Sequence, residues 1–168
     1  MLHIVLFEPE IPQNTGNIAR TCAAVGAQLH LVHPLGYSLD EKHLRRAGLD
    51  YWSLVTIVEH ESIATFMEQH GVENLYFFTK KANHAYHEVS YPQDVWLVFG
   101  RESTGIDETF LLAHEARTLR IPMRAEARSL NLSNSVAIAT YEYMRQQDFP
   151  GLSETGTFPI GETSGTSR

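Results

Sequence analysis

A single cysteine, Cys22, excludes any disulfide within the chain, and the alanines Ala19, Ala23 and Ala24 around it mark a small buried helix residue rather than a reactive thiol. No apolar run is long enough to span a bilayer, and the opening Met1-Leu-His-Ile-Val-Leu-Phe-Glu8 lacks the basic start of a secretory leader. No membrane role is therefore expected, and the cytoplasm is the expected location. Positive charge is scarce as well. Lys and Arg number 13 against 20 Asp and Glu, and the net charge of −7 excludes a protein that coats nucleic acid through overall basicity. His30 and His33 are three apart, as are His84 and His87, but no cysteine or carboxylate set completes a ligand group, so no metal is expected.

Two signatures of common α/β enzymes are also missing. A dinucleotide-binding fold places a glycine-rich turn after its first strand, whereas Phe7-Glu-Pro-Glu-Ile-Pro12 carries two prolines and no glycine. A hydrolase elbow needs glycine two residues before its serine, and Arg101 stands there before Ser103.

What is present fits one domain with a sizeable core: 168 residues, 43% of them hydrophobic. Apolar, β-branched runs at 3–7, 29–32, 54–58, 75–79, 95–99 and 118–121 predict strands. Helical spacing at 15–25, 40–47, 62–70 and 108–114 separates most of them, so the expected fold is α/β, a mostly parallel sheet with helices on both faces. A last helix is expected over 132–147, stopped by Pro150 and Gly151. The remainder is rich in Gly, Ser and Thr, which divides the chain into a domain at 1–151 and a polar tail at 152–168. Basic residues gather locally, as Lys42, Arg45 and Arg46, as Lys80 and Lys81, and as Arg117, Arg120, Arg124 and Arg128; such groups hold phosphates or simply make a solvated face.

Three polar turns share one design. In Pro12-Gln-Asn-Thr-Gly-Asn-Ile-Ala-Arg20, Asn14 or Thr15 is expected to cap a helix whose free amides face an anion, with Arg20 reaching back over the same mouth; a plain capped helix with a surface arginine uses the same residues. In Gly100-Arg-Glu-Ser-Thr-Gly105, glycines at both ends allow close backbone approach and Glu102 accepts bonds within the turn, unless it simply faces solvent. In Ser129-Leu-Asn-Leu-Ser-Asn134, Asn131, Ser133 and Asn134 exceed what one helix cap requires, so extra hydrogen-bonded structure is expected.

In this order the turns resemble the three motifs of the SPOUT superfamily of knotted, S-adenosylmethionine-dependent RNA methyltransferases. The likeness runs from Met1 to about Gly151, takes in Leu44-Arg-Arg-Ala-Gly-Leu-Asp-Tyr51, and is closest to the YibK/TrmL branch. Members of that branch are homodimers of the catalytic domain alone. They methylate the ribose 2′-oxygen of the tRNA wobble nucleotide, a cytidine or a modified uridine in leucine tRNAs. The resemblance implies a C-terminal trefoil knot, S-adenosylmethionine as donor with S-adenosylhomocysteine as product, and a tRNA partner. It implies catalytic roles for Arg20, Asn14 and Glu102, with Arg20 orienting the hydroxyl rather than taking its proton. Cofactor contacts are implied at Phe78, Thr79, Gly100, Gly105, Ile121, Met123, Ser129, Leu130 and Asn134, the main chain and side chains of Ile121, Met123 and Leu130 serving the adenine. RNA contacts are implied at Lys42, Arg45, Arg46 and Tyr141, although Tyr141 also has the spacing of a core aromatic with Leu130, Leu132, Val136 and Ile138. Arg101 and the tail depart from the family pattern. A related enzyme acting on another RNA site, or a knotted RNA-binding protein without turnover, are the alternatives.

Overall fold

The computed structural model describes residues 1–39 and 52–157. Its described elements in chain order are β1 (Leu2–Phe7), α1 (Pro12–Val25), β2 (Gln28–Val32), β3 (Ile57–His60), α2 (Ile63–His70), β4 (Leu75–Phe78), β5 (His84–Ala85), β6 (Val95–Phe99), α3 (Glu108–Ala113), β7 (Thr118–Arg120) and α4 (Leu132–Gln146), with 3₁₀ turns at Trp52–Leu54 and Glu115–Arg117. The strands form one sheet in the order β3-β2-β1-β6-β4-β7-β5, and every paired neighbour is parallel.

Alternation along the strands divides the core between the two faces. On one face Leu2, Ile4 and Leu6 of β1, Leu29 and Leu31 of β2, and Leu97 and Phe99 of β6 pack with Ile18 and Cys22 of α1 and Val136, Ala139 and Met144 of α4. On the other, Val5, Phe7, Val32, Phe77 and Val98 pack with Phe66 of α2 and Leu111 of α3. Burying both faces explains the near-continuous apolar reading of the central strands. Cys22 is fully buried and its thiol is pushed up to about 12, first by that burial, so it is a packing residue.

Three expectations need correction. The run expected as a strand at 54–58 splits into a 3₁₀ turn and β3 at Ile57–His60, because parallel pairing begins at Leu29 with Ile57 and leaves Leu54 68% exposed. Neither Asn14 nor Thr15 caps α1: the helix starts at Pro12 behind Ile11, with no side-chain cap, since proline at the first position presets the helical φ and has no amide to satisfy. Tyr141 is 49% exposed, so it is no core aromatic. The short β5 was not expected, nor does any hydrophobic pattern announce it. The helix expected at 40–47 and the residues beyond 157 lie outside the described residues.

The histidines that meet are not those close in sequence. His33 pairs with Glu59 at 2.8 Å on the surface. His3, His30 and His60, from β1, β2 and β3, instead form a ladder under α2: His3 Nδ1 lies 3.0 Å from His30 Nε2, His30 Nδ1 lies 3.0 Å from His60 Nε2, and His3 Nε2 lies 3.3 Å from Asp94. Trp96 stacks on His3, and His70 packs against His30 and His60. Among the described residues no group of three or more His, Cys, Asp or Glu is arranged to hold a metal ion.

One set of neutral tautomers satisfies the ladder, each Nε2–H donating outward: His60 to His30, His30 to His3, and His3 to Asp94. A second proton on any ring would set two donors against each other. Burial, then charge on His3, His60 and His70, brings His30 down to about 3. Burial also lowers His3, His60 and His70, opposed by Asp94 at His3 and by Gln69 at His60, while the amino terminus adds to the lowering at His3. Above about pH 6.5 these groups are neutral in both folded and unfolded chains and leave stability unchanged. As pH falls below that value the unfolded chain binds protons first, and stability declines until the folded rings titrate. Urea unfolding between about pH 4 and pH 8 is expected to show this acid-side loss. A His30→Leu variant is expected to show a shallower slope over the same range, and an equal slope would assign the loss to other groups.

Candidate active site

Because paired strands run parallel, their C-terminal ends open on one edge, where α/β sheets bind ligands. The segments after β1, β4, β6 and β7, with the start of α4, enclose a cavity of about 430 Å³ there, a size usual for small-molecule sites. Its wall includes Asn14, Phe78, Thr79, Gly100, Glu102, Gly105, Ile121, Met123, Ser129 and Leu130, so the three polar turns do converge.

The turn after β6 is the keystone of this assembly. A Cβ on Gly100 would lie 2.3 Å from the carbonyl carbon of Gly105, so the glycine is required by the chain's own return. Gly105 closes the turn at φ 73 and donates its N–H to the Arg101 carbonyl at 2.9 Å. Glu102 does not face solvent. Its carboxylate accepts the main-chain N–H of Glu10 at 2.8 Å, that of Ile11 at 3.2 Å and the Asn14 side-chain amide at 3.0 Å. Glu10 answers across the same gap, accepting Ser103 N–H at 2.9 Å and its hydroxyl at 2.8 Å. Arg101 pairs with Glu8, whose backbone is left-handed at φ 52. Thr15 is tied to the Tyr37 hydroxyl, and burial raises Tyr37 to about 12.

Asn14 carries the linkage onward. While its amide donates to Glu102, its carbonyl accepts the Asn131 amide at 3.0 Å. Asn131 in turn caps α4, accepting Ser133 N–H at 2.9 Å, Asn134 N–H at 3.3 Å and the Ser133 hydroxyl at 2.7 Å. This is the additional structure that the excess of polar residues implied. Ile121, Met123 and Leu130 supply an apolar side, and Phe78 stacks on Phe99 at 4.7 Å behind it.

Arg20 and Asn134 are exposed and do not line the cavity, and Tyr141 lies outside it on the exposed face of α4. Lys42, Arg45 and Arg46 lie outside the described residues. Of the basic residues between 117 and 128, Arg117 sits over the Tyr76 ring at 5.6 Å, a structural use. Glu10, Ser103 and Tyr37 were not anticipated: each acts through a partner 22 or 93 residues away, which no local spacing reveals.

Comparison with known proteins gives this geometry its family. The SpoU rRNA methylase signature matches residues 1–141. The chain belongs to the SpoU methylase family. A Geobacillus stearothermophilus protein, provisionally named a tRNA (cytidine(34)-2′-O)-methyltransferase, is 52% identical over 155 residues, covering 90% of this chain and 99% of its own. The Escherichia coli K12 protein named tRNA (cytidine(34)-2′-O)-methyltransferase is 45% identical, covering 90% of this chain and 97% of its own. A solved structure described as giving insight into 2-OH methylation of C/U34 on tRNA superposes with a TM-score of 0.81 at 45% identity, over 88% of this chain and 97% of that one. The SPOUT resemblance of the three turns is thus a family membership.

In this SpoU chain Glu102 braces the mouth. Glu102→Gln sets an amide donor against the N–H groups of Glu10 and Ile11 and the Asn14 amide, and is expected to lower urea stability by about 1–3 kcal/mol. No change in the unfolding midpoint would mean that the brace carries no energy.

Proposed function

We propose that this SpoU enzyme transfers a methyl group from S-adenosylmethionine to the ribose 2′-oxygen of the wobble nucleotide of tRNA, with leucine tRNAs as substrates. The carrying observation is the single cavity whose mouth is framed by Asn14, Glu102 and Asn131 together. The names of relatives matched over nearly their whole length supply the substrate class.

The residues present fit the donor. Ile121, Met123 and Leu130 offer apolar walls to a purine, and the Gly100–Gly105 turn brings bare main chain to the cavity. Bound there, S-adenosylmethionine supplies an electrophilic methyl group on a cationic sulfur. The chain then has to hold the ribose hydroxyl in line and stabilise charge on its oxygen. Arg20, one to two helical turns beyond Asn14, performs that task; its guanidinium keeps its proton, so it orients the hydroxyl and stabilises the developing alkoxide. Asn14 and Glu102 spend their polar atoms on each other, on Asn131 and on main-chain amides, which suits them to frame the mouth rather than move a proton.

The tRNA reaches this mouth in the cytoplasm across phosphate contacts from Lys42, Arg45 and Arg46. Tyr141 and Ile138, 49% and 37% exposed one turn apart on α4, supply part of a homodimer face that brings Tyr141 toward the partner's substrate. The segment between β7 and α4 forms the trefoil knot of the family in this reading.

Labelled S-adenosylmethionine, bulk tRNA unmodified at the wobble position and nuclease mapping test the proposal. Label on the wobble 2′-O-methylribose is the expected result, and label elsewhere overturns the substrate. In the same assay Arg20→Ala is expected to cut transfer roughly 100-fold or more while S-adenosylhomocysteine affinity holds; undiminished turnover removes the role given to Arg20.

A further inference from the structure

Three cations stand in the cavity wall, and two of them are spent. Lys81 pairs with Glu108 at 2.6 Å, and Arg101 pairs with Glu8. Lys80 pairs with no carboxylate among the described residues. Its ammonium donates instead to the main-chain carbonyl of Arg128 at 3.3 Å, reaching 48 residues along the chain from the end of β4 to the segment before α4. A cation and a carbonyl acceptor thus lie side by side across the cavity. The Glu102 carboxylate, which would otherwise attract Lys80, is occupied by three donors.

A free amino-acid group carries one carboxylate and one ammonium on adjacent bonds. It needs a cation for the first and an oxygen acceptor for the second. We infer that Lys80 and the Arg128 carbonyl form the subsite for the amino-acid end of the cofactor, Lys80 taking the carboxylate and the Arg128 carbonyl the ammonium. Lys80 thereby selects ligands that keep this end over adenosine thioethers that lack it. Its position inside the small-molecule cavity favours this role over a contact to an RNA phosphate. The inference rests on the cofactor reading given under Proposed function.

The test compares two ligands by calorimetry: S-adenosylhomocysteine, and 5′-methylthioadenosine, which carries the same adenosine and thioether without the amino acid. Wild-type protein is expected to bind the first more tightly. Lys80→Met, which keeps the stem and removes the charge, is expected to weaken S-adenosylhomocysteine roughly 10-fold and to leave methylthioadenosine unchanged. Lys80→Arg is expected to restore most of the loss. Equal weakening of both ligands overturns the proposal, because Lys80 is then only a strap across the cavity. Loss of neither, with a raised KM for tRNA, overturns it in favour of a phosphate contact. If wild-type protein binds neither ligand, the cofactor reading itself falls and this subsite falls with it, an outcome separate from the other two.

Discussion

The Glu102 carboxylate holds together segments 88 to 92 residues apart in sequence, and the rest of the site depends on that bridge. It accepts two main-chain amides just before α1 and the side chain of Asn14 within it. Buried N–H groups without an acceptor are costly, so the geometry is over-determined. Through Asn14 the restraint passes to Asn131, 117 residues further on, and through Asn131 to the first turn of α4. The turn after β6, the start of α1 and the start of α4 therefore behave as one rigid unit around the cavity. The reciprocal bonds from Glu10 to Ser103 close the same gap from the other side.

That arrangement explains how an acidic chain can serve RNA. Glu102 and Glu10 face main-chain and hydroxyl donors, while Glu8 is matched by Arg101. Their charge is absorbed in building the mouth instead of repelling a phosphate backbone. A net charge of −7 describes the whole surface, not the field at the cavity.

The sheet was legible because period-2 and continuous apolar runs reflect burial on one or both faces. The central strands β1, β2, β4 and β6 lie within a residue or so of their expected places. The three turns were legible because glycine, asparagine and serine at fixed offsets signal backbone geometry. Elements set by partners distant in sequence were not. Asn14 and Thr15 have the chemistry of helix caps, yet Pro12 starts the helix and frees both for tertiary bonds. His3, His30 and His60 sit on different strands, so only the assembled sheet aligns them. The solvent-facing position of Tyr141 was likewise undecided, since helical spacing fits both a buried and an exposed stripe.

The central claim is that Asn14 and Asn131 act as one linkage that positions the reacting groups. A double-mutant cycle on the single-turnover rate of methyl transfer, using Asn14→Ala, Asn131→Ala and the pair, tests it most directly. The account predicts strong non-additivity, the double variant being no slower than the slower single one. Fully additive losses would contradict it, because each side chain would then act alone.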